Sequence, residues 1–178
     1  MKKPGFNTRA IHGDITKPDA HHSIRYPLYA SVAYSFDNAE EIEGAFTGTK
    51  PAHVYSRSTN PTVEAFERKM VSLEQGAGAV ALSSGMAAIT NTILCLLKSG
   101  ENIIASPYLF GNTYSLFKHT LPNYGIETRF VDFDDLEGVK QAVDSNTRVV
   151  FFETISNPQM VVPDIEKISE FAKTNDLI

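Results

Sequence analysis

The strongest constraint on this chain is a rhythm that begins near residue 38 and runs to its last residue. Helix-patterned "NAEEIEGAF" (38–46) and "PTVEAFERKMVSLEQ" (61–75) lead into apolar "GAVAL" (78–82) and then a helical run after "SSG" (83–85). Strand-like "NIIAS" (102–106), "ETRFVDF" (127–133) and "RVVFFET" (148–154) then alternate with helical "NTYSLFKHTLPNY" (112–124), "DLEGVKQAV" (135–143) and "DIEKISEFAKT" (164–174). Short apolar strands alternating with amphipathic helices predict βαβ units and a mostly parallel sheet, with ligands bound beyond the carboxyl ends of the strands. After the final helix the pattern asks for another strand, and Leu177 and Ile178 read as its first two residues. The expectation is an N-terminal portion of a longer polypeptide. Residues 1 to about 36 show no helical period and are rich in turn formers and aromatics, so they read as an extended arm that packs on another surface.

Composition narrows the partners. With 178 residues, 42% of them apolar, the chain has material for a core of ordinary size. A net charge of −5 and no run of Lys or Arg leave no electrostatic footprint for nucleic acid or an anionic membrane. No stretch approaches the length of apolar sequence that a membrane span needs, and no apolar run follows the N-terminal lysines, so a cytoplasmic location is expected. The single cysteine, Cys95, cannot form an internal disulfide, and its place in "TILCLL" predicts a small buried core residue.

Three stretches carry chemistry. "SSGM" (83–86) stands between an expected strand and a helix, an arrangement that presents orphan N–H donors and a partial positive charge at one point. Such a point binds anions, and Gly85 lets a bulky anion approach the backbone, although a serine–glycine start also serves as a plain cap. "HVYSRSTNPT" (53–62) offers Arg57, a donor fork suited to phosphate, with Tyr55 on the same side of an extended segment. An exposed Arg and Tyr in a loop are equally compatible with a surface ion pair and a packed ring. Asn60 is the expected N-cap of the next helix and Pro61 its first residue. The cluster Asp132, Asp134 and Asp135 lies where a helix starts, so it reads as capping and not as a metal site, and the histidines show no ligand spacing.

Together with "ETISNP" (153–158), these stretches resemble the Cys/Met-metabolism family of pyridoxal-phosphate enzymes, which holds cystathionine γ-synthase, methionine γ-lyase and O-acetylhomoserine sulfhydrylase. The resemblance runs the length of the chain. It implies a type I, aspartate-aminotransferase-like fold, a three-layer αβα sandwich of α/β class with an extended N-terminal arm, truncated here. Residues 1–60 would be the arm and an inter-subunit loop, and 61–178 the first part of the cofactor-binding domain. It also implies pyridoxal 5′-phosphate as cofactor and a homo-oligomer, a dimer of dimers. Tyr55 and Arg57 would hold the phosphate of the neighbouring subunit's cofactor, and Gly85 and Met86 would donate backbone N–H groups to the phosphate in their own subunit. Phe110 occupies the place of the aromatic that stacks on the cofactor ring, where the family more usually has tyrosine. Asn157 matches the hydrogen-bond partner of the cofactor's phenolic oxygen, while Ile155 replaces a frequent proline.

The implied reaction is γ-replacement, O-acetyl-L-homoserine and sulfide giving L-homocysteine and acetate. The alternatives are a methionine γ-lyase or cystathionine γ-synthase within the family, and outside it a truncated, non-catalytic chain. The resemblance places the cofactor-bearing lysine and the aspartate and arginine that complete the chemistry beyond the position matching residue 178. Lys98, Lys118 and Lys140 lie on expected helices or their ends, so no catalytic residue is assigned within the chain. Tyr108 and Tyr114 are near enough in sequence to supply the hydroxyl that Phe110 lacks.

Overall fold

The computed structural model describes residues 4–12 and 21–178. The chain divides into two units, Met1–Ala81 and Leu82–Ile178. The first holds α1 (Phe6–His12), α2 (Ala39–Thr47) and α3 (Pro61–Glu74). The second holds α4 (Gly85–Leu96), β1 (Asn102–Ala105), α5 (Gly111–Ser115), β2 (Glu127–Phe130), α6 (Leu136–Ala142), β3 (Thr147–Phe151) and α7 (Ile165–Thr174). Between α5 and β2 the chain continues through a π-helical turn, Leu116–Thr120, and a 3-10 turn, Leu121–Tyr124.

The second unit is built on a parallel sheet of order β2-β1-β3. Its central strand β1 has both neighbours and two covered faces, and Ile103, Ile104 and Ala105 are each 0% exposed. Successive side chains of a strand point to opposite faces. Accordingly, Ile103 and Ala105 join one core with Ile93 and Leu97 at the end of α4, Phe117, Leu121, Ile126 and Val149. Ile104 joins the other with Phe133, Val139 of α6, Ile168 of α7 and the partly buried Val150 and Phe152. Helices thus cover both faces, the three-layer α/β arrangement expected. The chain steps from β1 outward to β2 and then crosses back over β1 to β3, so a topological switch point lies at the carboxyl ends of β1 and β3. Ile178 lies against β3, its N–H donating to Arg148 O (2.9 Å) and its carbonyl accepting from Val150 N (2.8 Å).

Local chemistry sets the element ends. Asn38, Asn60, Ser84, Asp135 and Asp164 each accept a hydrogen bond from a first-turn N–H, and Pro61 opens α3 as expected. Gly125 ends the 3-10 turn at φ +73, and a Cβ there would overlap Ser99 Oγ, so only glycine fits.

Three expectations change. The arm contains a helix, α1, packed along α3 with Arg9 Nη1 donating to Ser72 O; so short a helix has no period to read and is held by its tertiary partner. Residues 21–36 form no helix and, within the first unit, pair with the loop before α3: Tyr34 N donates to Val54 O (3.2 Å) and Ser56 N to Val32 O (2.8 Å), around an Ala33–Tyr55 bridge. "GAVAL" is not a strand: it joins no ladder among the described residues, Ala81 N donates to the Glu67 side chain (2.8 Å), and Val80 is 81% exposed. Cys95 is exposed, not buried, because Ile93 and Leu97 carry the inward face of α4 at its C-terminal end and Cys95 falls on the opposite side.

The amino ends of the strands are tied by a polar network. Asn102, 2% exposed, donates to Asp144 Oδ1 (2.8 Å) and accepts from Thr147 Oγ1 (2.7 Å), while Arg129 reaches Asp144 Oδ2 (2.8 Å) and Glu127. The Asn102 hydrogen bond, followed by that of Arg129, holds the Asp144 carboxyl well below the usual carboxylate range. In urea unfolding at neutral pH, Asn102→Ala is expected to cost about 1–3 kcal/mol, because it removes a donor from the Asp144 carboxylate and the nearer acceptor of the Thr147 hydroxyl at a buried position. The stability from Asp144 is complete above its unfolded pKa of about 4 and fades as pH falls through the depressed folded value, so Asp144→Asn should flatten the acid limb of stability against pH.

Candidate functional site

In the second unit, the loops that leave the carboxyl ends of β1 and β3 carry two of the expected site residues, Phe110 and Asn157. Residues Ser106, Tyr108, Asp132, Phe133, Glu153 and Ser156 line a small cavity there. The first loop is anchored by Tyr108, whose N–H donates to Ser106 Oγ (3.2 Å) and whose hydroxyl donates to Asp132 Oδ2 (2.8 Å). That hydrogen bond, reinforced by the carboxylate's charge, raises the Tyr108 pKa above its ordinary value. The loop delivers Phe110 to the start of α5 with its ring 47% exposed, and the Phe110 N–H donates to Glu153 Oε1 (2.9 Å). An aromatic ring that is not in the core is free to stack on a planar ligand.

Asn157 lies in the loop after β3, exposed, with its N–H 3.4 Å from Glu153 Oε2. The loop is closed behind it by buried Ser156, whose Oγ accepts from Val161 N (2.8 Å) and whose N–H donates to Val161 O (2.9 Å). The two tyrosines near Phe110 are otherwise engaged. Tyr108 is bound to Asp132, and the Tyr114 ring stacks on Phe130 with centroids 4.8 Å apart, packed against the core.

The start of α4 suits an anion. Ser84, in extended conformation, caps Ala87 N (3.1 Å), and the first intrahelical bond runs from Ala88 N to Ser84 O (3.0 Å). The N–H groups of Gly85 and Met86 precede that bond and point out of the helix end. A Cβ on Gly85 would meet nothing within 4 Å, so there is room for a ligand at this backbone. Thr113 Oγ1 lies 3.7 Å from Met86 Sδ, which brings the start of α4 beside α5 and hence beside the Phe110 loop. The residues present therefore fit a phosphate carrying a flat ring: donors at one end, an exposed aromatic and an asparagine nearby.

In the first unit, the Arg57 guanidinium lies 4.7 Å above the Tyr55 ring, and both residues are exposed. The backbone is not extended through them as expected. It turns at Tyr55, whose carbonyl accepts from Ser58 N (2.9 Å) and Thr59 N (3.1 Å), and the turn stacks the two side chains. Asn60 fixes this turn, its Nδ2 donating to Tyr29 O (3.1 Å), Tyr34 Oη (3.1 Å) and Ser56 Oγ (2.9 Å). Among the described residues no group of three or more His, Cys, Asp or Glu is placed to hold a metal, and Asp135 caps α6.

Sequence reasoning missed Glu153. Its signal was a carboxylate at the end of an apolar strand, a place where an acidic group needs a donor.

A family model described as Cys/Met metabolism PLP-dependent enzyme matches residues 7–178. The chain is 47% identical over 175 residues to the O-acetyl-L-homoserine sulfhydrylase of Corynebacterium glutamicum, covering 97% of this chain and 40% of that protein. It is 39% identical over 175 residues to the L-methionine gamma-lyase of Fusobacterium nucleatum, covering 98% of this chain and 44% of the relative. Among solved structures, one from Campylobacter jejuni assigned as an O-acetylhomoserine (thiol)-lyase, with a pyridoxyl-lysine phosphate, superposes with a TM-score of 0.89 at 37% identity. That match covers 99% of this chain and 43% of that one. The chain thus spans less than half the length of these proteins. In urea unfolding, Ser84→Ala is expected to cost about 1 kcal/mol by loss of the cap, whereas Gly85→Ala should not destabilise, since alanine is the better helix former by about 1 kcal/mol and the site has room.

Proposed function

Because the chain belongs to the Cys/Met-metabolism family of PLP-dependent enzymes, we propose that it forms the N-terminal part of an enzyme for γ-replacement, O-acetyl-L-homoserine and sulfide giving L-homocysteine and acetate. The observation that carries this reading is Phe110, an exposed ring at the switch point with no hydroxyl of its own and with Tyr108 and Tyr114 engaged elsewhere. Expelling a thiol calls for a nearby acid, because a thiolate of parent pKa about 8.5 leaves poorly; a carboxylate of parent pKa about 4 needs little help. A phenyl ring here therefore favours an acyl-activated substrate.

In this reading Gly85 and Met86 donate N–H groups to the cofactor phosphate at the helix end. Phe110 stacks on the pyridine ring and Asn157 holds its phenolic oxygen. Tyr55 and Arg57 serve the neighbouring subunit's phosphate, residues 1–60 act as arm and inter-subunit loop, and 61–178 begin the cofactor domain. When bound, pyridoxal 5′-phosphate supplies the electron sink that lets the amino-acid carbons lose and gain protons. The covalent lysine belongs to sequence outside these residues. The assembly is a cytoplasmic homotetramer, a dimer of dimers. A second reading, methionine γ-lyase, is favoured by the similarity to the Fusobacterium protein.

Two measurements on the full-length protein decide between them. The kcat/KM for O-acetylhomoserine with sulfide should exceed that for methionine elimination by at least about a hundredfold, roughly 2.7 kcal/mol in the barrier, and efficient methionine cleavage would establish the lyase instead. Arg57→Ala should weaken cofactor binding by about 1.5–3 kcal/mol. Mixing Arg57→Ala subunits with subunits lacking the cofactor lysine should restore activity, since each variant spares a site the other damages; no restoration would show that Arg57 serves its own subunit.

A further inference from the structure

We propose that Glu153 is a positioning residue that sets the placement of Phe110 relative to Asn157, and through them the plane available to a bound ring; its effect on catalysis rests on the function proposed above. Glu153 follows β3 and is half-buried at the switch point. One carboxylate oxygen accepts from Phe110 N (2.9 Å) and the other faces Asn157 N (3.4 Å). Phe110 belongs to the loop after β1 and Asn157 to the loop after β3, so one planar group spans two loops that are otherwise separate in sequence.

The Phe110 backbone needs such an acceptor. The residue occupies the N-cap position of α5 in a non-helical conformation (φ −58, ψ 142), and its apolar side chain caps nothing. Tyr108, bound to Ser106 and Asp132, fixes the base of the same loop from the β2 side. Glu153 fixes the tip from the β3 side. The Phe110 ring itself is left exposed while its backbone is held at two points. A carboxylate is the suitable group because both its oxygens are acceptors. Glutamine keeps one acceptor for Phe110 N but turns an amide donor toward Asn157 N, and alanine keeps neither.

The test compares full-length wild type, Glu153→Ala, Glu153→Gln, Phe110→Ala and the Glu153→Ala/Phe110→Ala double variant. Amide hydrogen exchange over residues 106–111 is read first, because it needs neither cofactor nor substrate. Glu153→Ala should speed exchange at the Phe110 amide by at least about tenfold, with Glu153→Gln between it and wild type. Unchanged exchange would overturn the brace whatever reaction the protein performs. In steady-state kinetics Glu153→Ala should lower kcat by about tenfold with KM for O-acetylhomoserine moving less than about threefold, the signature of a misplaced ring and not of lost substrate binding. In the Phe110→Ala background the same change should cost almost nothing further. Full multiplicative losses in the double variant would show that Glu153 does not act through Phe110 and would overturn the proposal. A wild-type protein that lacks the proposed activity but shows the exchange response would remove the proposed reaction and leave the brace standing.

Discussion

Burial of β1 on both faces and both edges is the constraint on which the second unit depends. With Ile103, Ile104 and Ala105 fully enclosed, the two apolar layers are fixed to one strand, and a one-residue register shift of β1 would invert both cores. The two ends of this strand then do different work. At the amino end, Asn102 knits the neighbouring strands through Asp144 and Thr147, a network that is satisfied and stiff. At the carboxyl end, the strand releases a loop that carries Ser106, Tyr108 and Phe110 into the space where the sheet order reverses. Fold stability and site chemistry are thus separated along a strand of four residues.

The site of the second unit is organised by backbone as much as by side chains. The N–H groups of Gly85 and Met86 are presented by helix geometry, and that of Phe110 is directed at a carboxylate. Phe110 presents an exposed ring that carries no hydroxyl. The structure directs the two adjacent phenols elsewhere: Tyr108 into an anchoring hydrogen bond and Tyr114 into the core. A hydroxyl-free ring surface is therefore a built feature of this loop.

Much of this was legible in the sequence, and for identifiable reasons. The rhythm of apolar runs and helices is set by burial, which is a property of the chain itself, so β1, β2, β3 and the α/β class followed from it. The caps Asn60 and Ser84 were legible because an N-cap is a local event. What failed was whatever depends on a partner. "GAVAL" has strand composition, but a strand exists only with a neighbour to pair with. Helix α1 exists because α3 is there to receive Arg9. Cys95 was placed in the core by composition alone, whereas its exposure follows from which angular position on α4 Ile93 and Leu97 claim. Glu153 was invisible for the same reason, since its meaning lies in two N–H groups from two loops, one of them more than forty residues away.

The uncovered "GAVAL" segment has a consequence for handling the protein. Residues 76–86, "GAGAVALSSGM", carry no charge and no proline, and Val80 at their centre is almost wholly in water. Ala81 N is tied to Glu67 Oε1 (2.8 Å) and Ser84 caps α4, but across these residues no lysine or proline stands as a gatekeeper against contact with other copies. Replacing Val80 with a charged residue would therefore remove exposed apolar surface without touching the packed cores around β1.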